Sequence, residues 1–440
     1  MNNQEPIRDA RTLGVPKMLI LGLQHMFAMF GATVLVPILV QGYGLPLSIQ
    51  TTLFFHLCAK LKVPAFLGSS FAYLGGFSAV AELDSGIYAG MSGEEKLPYA
   101  LGGIVVAGLL YLILAGLIKL VGVHKVMRFL PPVVTGPIII LIGLSLAPSA
   151  INNASTNWWL AILSIAVIVC ANIWGKGMIK IVPILLGVLI PYAVALVTRQ
   201  VDFSGVAAAD FVGLQPFVLA KFDLTSILVM APIAIAAMME HIGDMSAISA
   251  TVEENFIEDP GLHRTLIGDG IATSLAGMFG GPANTTYGEN TGVLELSQVF
   301  DPKVVRLAAI YAVVLSFSPK FAAVINSIPT AIIGGVSFIL YGMISAIGVR
   351  NVVENRVDFT NSRNLIIAAV IMVCGLGFKI WGFSNEFSGL TFHVGGTDIT
   401  LTSLAIAAIA GIALNAILPG KDYEFGSDVT QGRSGDFGRY

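Results

Sequence analysis

Residues 284–292 read NTTYGENTG, a polar stretch that interrupts an otherwise apolar part of the chain. Its two threonines and Tyr287 favour a short extended segment, and Gly288 permits a turn into a helix that begins near Glu289. A polar, glycine-containing run is tolerated at membrane depth only where protein buries its backbone or where it lines a cavity. The stretch therefore predicts an interrupted membrane span.

The chain around this stretch has the composition of a membrane protein. Of its 440 residues, 55% are hydrophobic and 12% are charged, and the mean hydropathy is +0.82, whereas soluble domains carry about 25% charged residues. Apolar stretches of membrane-spanning length recur from end to end. The clearest are Met18–Val40, Leu101–Val121, Val133–Leu146, Trp158–Ile173, Ile179–Val197, Leu224–Met239, Leu307–Phe317, Ala331–Ile347, Leu365–Trp381 and Leu401–Leu418. These features predict an integral membrane protein.

Charge, cysteine content and motifs argue against several other classes. The net charge is −3 without a basic cluster, so nucleic acid is not expected as a partner. Cys58, Cys170 and Cys374 are isolated in apolar surroundings, which argues against a disulfide framework and against a metal site. The chain also lacks a His-Glu-x-x-His motif, a nucleophile elbow and a Cys/His cluster. No cofactor or metal is expected, and a membrane-embedded enzyme or a channel is a remote alternative.

The distribution of positive charge predicts how the chain crosses the membrane. Weaker crossings at Leu47–Ala59, Val63–Val80, Thr265–Gly280 and Ala283–Val299 bring the count of transmembrane segments to 14. With a cytoplasmic N-terminus, all but five of the 24 Lys and Arg residues lie on the cytoplasmic side, as the positive-inside rule requires. Both termini are therefore expected in the cytoplasm.

Matched landmarks indicate that the chain is duplicated. Phe71 follows His25 at the same spacing as Tyr287 follows His241, and LPPVVTG (130–136) resembles IPTAIIG (328–334). Seven spans per half would leave the two halves inverted relative to each other, the pattern of secondary transporters with interrupted spans. Chance pairing of Gly, Pro and His is the alternative interpretation. The sequence thus predicts an all-α polytopic protein built as a 7+7 inverted repeat.

Four carboxylates fall within the predicted spans: Glu240, Asp244, Asp269 and Glu289. A charged side chain near the bilayer centre costs roughly 2.5–3.5 kcal/mol by insertion scales, so such residues usually face a cavity or titrate. Glu240 and Asp244 lie four residues apart and share one helix face. Glu289 opens a half-helix, whose free backbone N–H groups favour an anion or a carbonyl oxygen. A small planar ligand with alternating N–H and C=O groups would suit such a cavity.

Structural roles are the alternative for these polar residues. Glu240 could instead satisfy a neighbouring backbone group or hydroxyl. For Asp269, His25 and His241, a structural role is about as well supported as a functional one.

Several motifs together resemble the bacterial uracil permeases of the nucleobase–ascorbate transporter (nucleobase:cation symporter) family. They are LQHMFAMFGATVLVP, VPAFLGSSFAY, EHIGD, EDPGLHRTLIGDG and NTTYGENTGV, and the resemblance extends from about Leu19 to Leu418. It implies uracil import by proton symport, with alternating access around a mid-membrane site. It also implies short β-strands in the broken spans 3 and 10, a homodimer surrounded by membrane lipid, and a location in the bacterial inner membrane.

The resemblance further implies roles for individual residues. The base would be bound by Glu240, Glu289 and the backbone at Phe71 and Gly288, with Tyr287 lining the pocket. Proton coupling would involve Glu289, supported by His25, with Asp244 and Asp269 as rival carriers. The coupling ion is the proton.

The implied domain organisation alternates between a core and a gate. Its parts are a cytoplasmic N-terminus (1–17), core spans 1–4 (18–121), gate spans 5–7 (122–222), core spans 8–11 (223–318), gate spans 12–14 (319–418) and a cytoplasmic tail (419–440).

Two departures from the family pattern concern the substrate. Asp244 stands where uracil permeases have His, and Asp269 is common in xanthine-type members, whereas those members usually carry Gln in place of Glu289. Ser297 and Gln298 replace the last two residues of the family signature and do not discriminate between substrates. Uracil is therefore the first expectation, and xanthine or another purine base is the alternative.

Overall fold

The computed structural model describes residues 6–40, 51–84, 86–214, 217–385, 389–394 and 397–420. Helices dominate. In the first half they are α1 (Val15–Val40), α2 (Thr52–Cys58), α3 (Leu74–Ala81), α4 (Gly93–Val121), α5 (Val123–Met127), α6 (Pro132–Ser155), α7 (Trp158–Ile173), α8 (Met178–Ile181), α9 (Pro183–Val197) and α10 (Ser204–Ala208).

The second half contains the other helices and three of the four described strands. Its helices are α11 (Leu224–Met230), α12 (Ile233–Val252), α13 (Leu262–Phe279), α14 (Glu289–Ser297), α15 (Pro302–Ser316), α16 (Pro319–Asn326), α17 (Thr330–Glu354), α18 (Ser362–Asn385) and α19 (Ser403–Ile417). The strands of the chain are β1 (Leu67–Ser69), β2 (Asn284–Thr286), β3 (Gly389–Val394) and β4 (Thr397–Thr402).

Several helices are suited to a membrane by length and composition. Within the described ranges, five qualify: Gly93–Val121, Pro132–Ser155, Leu224–Val252, Thr330–Glu354 and Ser362–Trp381. A sixth results if α15 and α16, which meet at a bend of 91°, count as one broken span. The chain is thus a mostly helical integral membrane protein, while the number of 14 crossings stays a prediction. The start of the predicted crossing Leu47–Ala59, before Thr51, lies outside the described residues, as does most of the C-terminal tail (419–440) that the sequence predicts to be cytoplasmic.

Glycines allow two pairs of helices to approach closely. Helices α6 and α17 meet at Gly143, where an added Cβ atom would lie 2.2 Å from the carbonyl oxygen of Tyr341. Helices α4 and α13 meet at Gly108, where it would lie 2.5 Å from the carbonyl oxygen of Gly270. Small residues at helix crossings are characteristic of membrane bundles, because close backbone approach increases the van der Waals contact that holds the helices together.

The paired strands β3 and β4 lie outside the two broken spans, and the sequence did not predict them. They form an antiparallel hairpin from Gly389 to Thr402, so α19 begins at Ser403 and not at Leu401. The sequence from Gly389 to Thr402 is rich in β-branched residues and contains two adjacent glycines between the strands, a pattern that favours a hairpin. The apolar residues at Leu401 and beyond concealed this boundary.

The N-terminal segment packs against the body of the protein. Ile7 pairs with the chain after α14, donating its N–H to the carbonyl oxygen of Gln298 at 2.8 Å and accepting from Phe300 N–H at 2.9 Å. Arg8 forms an ion pair with Glu254 just beyond α12. This segment therefore joins the ends of α12 and α14, the two helices that carry the carboxylates discussed below.

Candidate functional site

Strands β1 and β2 pair antiparallel in the buried interior, although they lie more than 200 residues apart in sequence. Leu67 is opposite Thr286, and Ser69 is opposite Asn284. The ladder continues on both sides, because Ser70 N–H donates to the Ala283 carbonyl at 2.8 Å and Tyr287 N–H donates to the Phe66 carbonyl at 3.0 Å. Pairing satisfies backbone groups that neither lipid nor a helix could satisfy at this depth.

Each strand is anchored by a threonine from the preceding helix. The Thr52 hydroxyl in α2 donates to the carbonyl oxygen of Leu67 and accepts from its N–H, both at 3.0 Å. The Thr273 hydroxyl in α13 makes the same pair of bonds to Asn284, both at 3.2 Å. The two strands are thus held by equivalent devices, one from each half of the chain.

Phe71 and Tyr287 lie beyond opposite ends of the strand ladder. Phe71 begins a short turn that leads into α3, and its ring meets Tyr341 of α17 edge to face, with ring centres 5.6 Å apart. The Tyr287 hydroxyl donates to the carbonyl oxygen of Ser69 at 3.1 Å. Gly68 permits this placement, because an added Cβ atom would lie 2.3 Å from the tyrosine ring.

Helix α12 brings two of the predicted carboxylates to β2 and to the start of α14. The Thr285 hydroxyl donates to Glu240 Oε2 at 3.4 Å. Asp244 lies against Gly288, where an added Cβ atom would be 2.7 Å from Asp244 Oδ1. Glu240 and Asp244 therefore lie in the same region of the structure as Tyr287 and Gly288, although the two pairs belong to different predicted spans.

Asp269 of α13 lies on the other side of α12. Its Oδ2 atom is 2.9 Å from Nδ1 of His241, and both side chains are completely buried. The same imidazole nitrogen is 2.8 Å from the Thr286 hydroxyl. Because neighbouring residues of a strand point to opposite faces, Thr285 reaches Glu240 while Thr286 reaches His241.

His25 of α1 contacts the residue after Glu289. Its Nδ1 atom is 2.9 Å from Oδ1 of Asn290, whose amide nitrogen donates to the Pro64 carbonyl at 2.7 Å. That second bond fixes the orientation of the amide, so Nδ1 of His25 is the donor. The Glu289 backbone begins α14, but its side chain lies outside the described part of the structure.

Asn290 is expected to matter for stability. Asn290→Ala would leave the His25 donor and the Pro64 carbonyl unpaired in a fully buried setting, which costs about 1–3 kcal/mol for each unpaired group. We expect a lower thermal unfolding temperature for this variant in detergent. Asn152→Ala, which truncates an exposed asparagine at the end of α6, serves as the control, and equal unfolding temperatures for both variants would contradict the role of Asn290.

The sequence did not single out several residues that organise this region. Asn290 was detectable as part of the family signature, but its bonds to His25 and Pro64 join segments far apart in the chain. Thr52 and Thr273 gave no signal, because threonine is common in membrane helices, and Thr286 was recognised only as part of an extended segment and not as a partner of His241. Only the polar character of NTTYGENTG pointed toward β2 itself.

Comparison with known proteins identifies the family. Residues 16–382 match the Permease family. The uracil permease of Bacillus caldolyticus is 39% identical over 434 residues, which covers 94% of this chain and 94% of that protein. The uracil permease of Bacillus subtilis (strain 168) is 38% identical over 420 residues, covering 90% of this chain and 91% of the relative.

A solved transporter structure has a similar fold. The transmembrane domain of a cyanobacterium bicarbonate transporter, BicA, superposes with a TM-score of 0.52 at 15% sequence identity. The match covers 79% of this chain and 97% of that domain. This likeness concerns the fold alone, since the identity is low. Because its relatives are permeases, the chain is a transporter and not an enzyme. It belongs to the permease family that contains the bacterial uracil permeases, which is the nucleobase–ascorbate transporter family that its motifs indicate.

Proposed function

We propose that the protein imports uracil by proton symport, with alternating access around the β1–β2 site. The observation that carries the proposal is a pair of short buried strands, each leading into a helix, beside carboxylates on α12. Interrupted spans with matching positions in two halves are the usual sites of substrate in secondary transporters. The relatives named as uracil permeases supply the substrate class.

The architecture in this proposal is the 7+7 inverted repeat with a core (18–121 and 223–318) and a gate (122–222 and 319–418). Close helix packing supports this division, because α4 pairs with α13 inside the core and α6 pairs with α17 inside the gate. The matching threonine anchors of β1 and β2 support the internal repeat.

The base would be bound between α12 and the starts of α3 and α14. Glu240 would accept hydrogen bonds from ring N–H groups, while the backbone at Phe71 and Gly288 would contact the carbonyl oxygens and Tyr287 would shape the pocket. Carboxylate and backbone N–H groups together match the alternating donors and acceptors of a pyrimidine ring. Charge-assisted bonds of this kind are stronger than neutral ones.

The proton would be carried by Glu289, with Asp244 and Asp269 as rival carriers. A carboxyl at a helix start experiences opposing effects, because burial favours its neutral form and the helix N-terminus favours the charged form. His25 would support Glu289 from α1, through its hydrogen bond to Asn290, the residue that follows Glu289. The protein would act as a homodimer in the bacterial inner membrane, with both termini in the cytoplasm.

The substrate is tested by competition of uptake. Cells or vesicles containing the protein should accumulate radiolabelled uracil, and unlabelled uracil should compete better than xanthine, adenine or guanine. A proton-conducting ionophore should abolish accumulation, whereas removal of sodium should not. Stronger competition by xanthine than by uracil would reassign the substrate to a purine, the alternative that Asp244 and Asp269 favour. If the protein shows saturable uptake of neither pyrimidine nor purine bases, the proposal is overturned.

A further inference from the structure

Helix α12 presents a glycine on the side that carries its two carboxylates. Gly243 lies three residues beyond Glu240, and Asp244 lies four residues beyond it. Residues three and four apart are neighbours on a helix surface. This surface therefore continues past the proposed pocket toward Val252, where α12 ends. In the proposed topology that end of the helix is cytoplasmic.

At Gly243, α12 touches two helices of the proposed gate. An added Cβ atom would lie 3.0 Å from Nδ2 of Asn351 in α17 and 3.3 Å from Cδ1 of Ile139 in α6. A side chain at position 243 would push against both residues, so glycine is what lets α12 approach the gate here. The space between α12 and the gate is therefore closed about one helical turn beyond Glu240.

A second contact between α17 and the core lies beside the start of α14. The Cδ1 atom of Ile347 is 3.4 Å from the position that a Cβ atom would take at Gly288. Ile347 and Asn351 are four residues apart and share one face of α17. The same face of the gate helix thus covers both glycines, Gly288 beside the proposed pocket and Gly243 beyond it.

These contacts differ from the close packing inside the gate. Between α6 and α17, an added Cβ atom at Gly143 would lie 2.2 Å from the backbone carbonyl oxygen of Tyr341. Those two helices are in backbone contact, which tight van der Waals packing holds together. At Gly243 the nearest atoms are instead the ends of two side chains, which can move by rotation about their side-chain bonds. The contact of α12 with the gate is thus the looser of the two.

Asn351 also has a polar atom without a partner. Within the described part of the chain, no donor contacts its Oδ1 atom, which is shielded from solvent. A buried acceptor that lacks a hydrogen bond is costly, and the cost disappears when water reaches the oxygen. Separation of α12 from α17 would hydrate this atom, so the closed contact is poised to open.

We propose that Ile139, Gly243 and Asn351 form a cytoplasmic constriction of the transport path, a contact between core and gate that breaks in every cycle. The inference rests on the proposed function for alternating access, and it adds which residues must separate to release the base. Because glycine carries no side chain, α12 can move past the ends of Ile139 and Asn351. The constriction closes the pocket while the base enters from outside, and its opening lets the base leave Glu240 toward the cytoplasm.

A reversible cross-link tests whether this contact must break. Gly243→Cys and Asn351→Cys are introduced together in a chain whose Cys58, Cys170 and Cys374 are replaced by serine. A disulfide needs Cβ atoms about 3.5–4.5 Å apart, and a Cβ atom at position 243 would already contact the side chain at position 351. Oxidation should abolish uptake of radiolabelled uracil into vesicles, and a reductant should restore it. Each single variant, oxidised in the same way, should keep its uptake.

Asn351→Leu provides a second measurement, in case the double variant fails to fold. Leucine has a similar size but no polar atom, so it removes the unpaired oxygen and stabilises the closed contact. We expect the maximal rate of uracil uptake to fall about tenfold, while uracil binding in detergent is retained. Asn152→Leu, at an exposed position near the end of α6, is the control and should transport at the wild-type rate.

Three results would overturn the inference. They are full uptake by the oxidised double variant, failure of its two cysteines to cross-link, and an unchanged maximal rate in Asn351→Leu. If wild-type protein neither binds nor takes up uracil, the proposed function fails instead. The two failures are distinguishable, because the first leaves uracil transport by the wild type intact.

Discussion

Glu240→Ala should abolish measurable uracil binding while the protein remains folded. Glu240 lies on α12 beside β2, where Thr285 donates to its carboxylate at 3.4 Å. In the proposed site the same carboxylate accepts ring N–H groups of the base. Removing it leaves buried donors of the ligand unpaired, and hydrogen bonds to charged groups contribute about 1.5–3 kcal/mol each. An affinity loss on the order of 100-fold or more follows.

The measurement combines binding with ligand-induced stabilisation. A ligand that binds the folded protein raises its unfolding temperature, so uracil should stabilise wild-type protein in detergent and leave Glu240→Ala unchanged. Glu258→Ala, which removes an exposed carboxylate in the segment between α12 and α13, should respond to uracil as the wild type does. Glu240→Gln keeps the shape and one acceptor oxygen, so it should retain part of the affinity. Near-normal uracil affinity in Glu240→Ala would remove Glu240 from the site.

Sequence patterns were sufficient for the element that defines the site. Strand β2 and the start of α14 at Glu289 follow from local chemistry, because threonines favour extension and a glycine tolerates a change of direction, although Gly288 itself adopts ordinary helical backbone angles. Both signals lie within a few residues of each other. Strand β1 was predictable only from the resemblance to a known family, since LGS in an apolar context has no distinctive pattern.

Contacts between distant segments were not predictable in the same way. The proximity of His241 to Asp269 depends on how α12 and α13 are rotated about their axes, and neither helix has a marked polar face that would reveal this rotation. The hairpin β3–β4 was missed for a different reason, since its second strand merges into the apolar residues that precede α19. Composition identifies membrane segments well, but it does not determine where a strand gives way to a helix.

The last expected result concerns Glu289, whose backbone begins α14 beside Asn290. Glu289→Gln mimics the protonated acid, so the variant should still bind uracil but should fail to accumulate it against a gradient. A proton gradient can drive accumulation only if the proton is bound and released in each cycle, and reciprocity requires that the base and the proton change each other's affinity by the same factor. Uptake into vesicles with an imposed proton gradient measures this directly, and counterflow of labelled uracil without a gradient should persist.

Glu295→Gln is the matched control for Glu289→Gln, because this exposed carboxylate lies on the same helix and has no proposed role. If Glu289→Gln accumulates uracil as the wild type does and Asp244→Asn or Asp269→Asn does not, the coupling role belongs to that aspartate, because only the residue that exchanges the proton can transmit the gradient to the base.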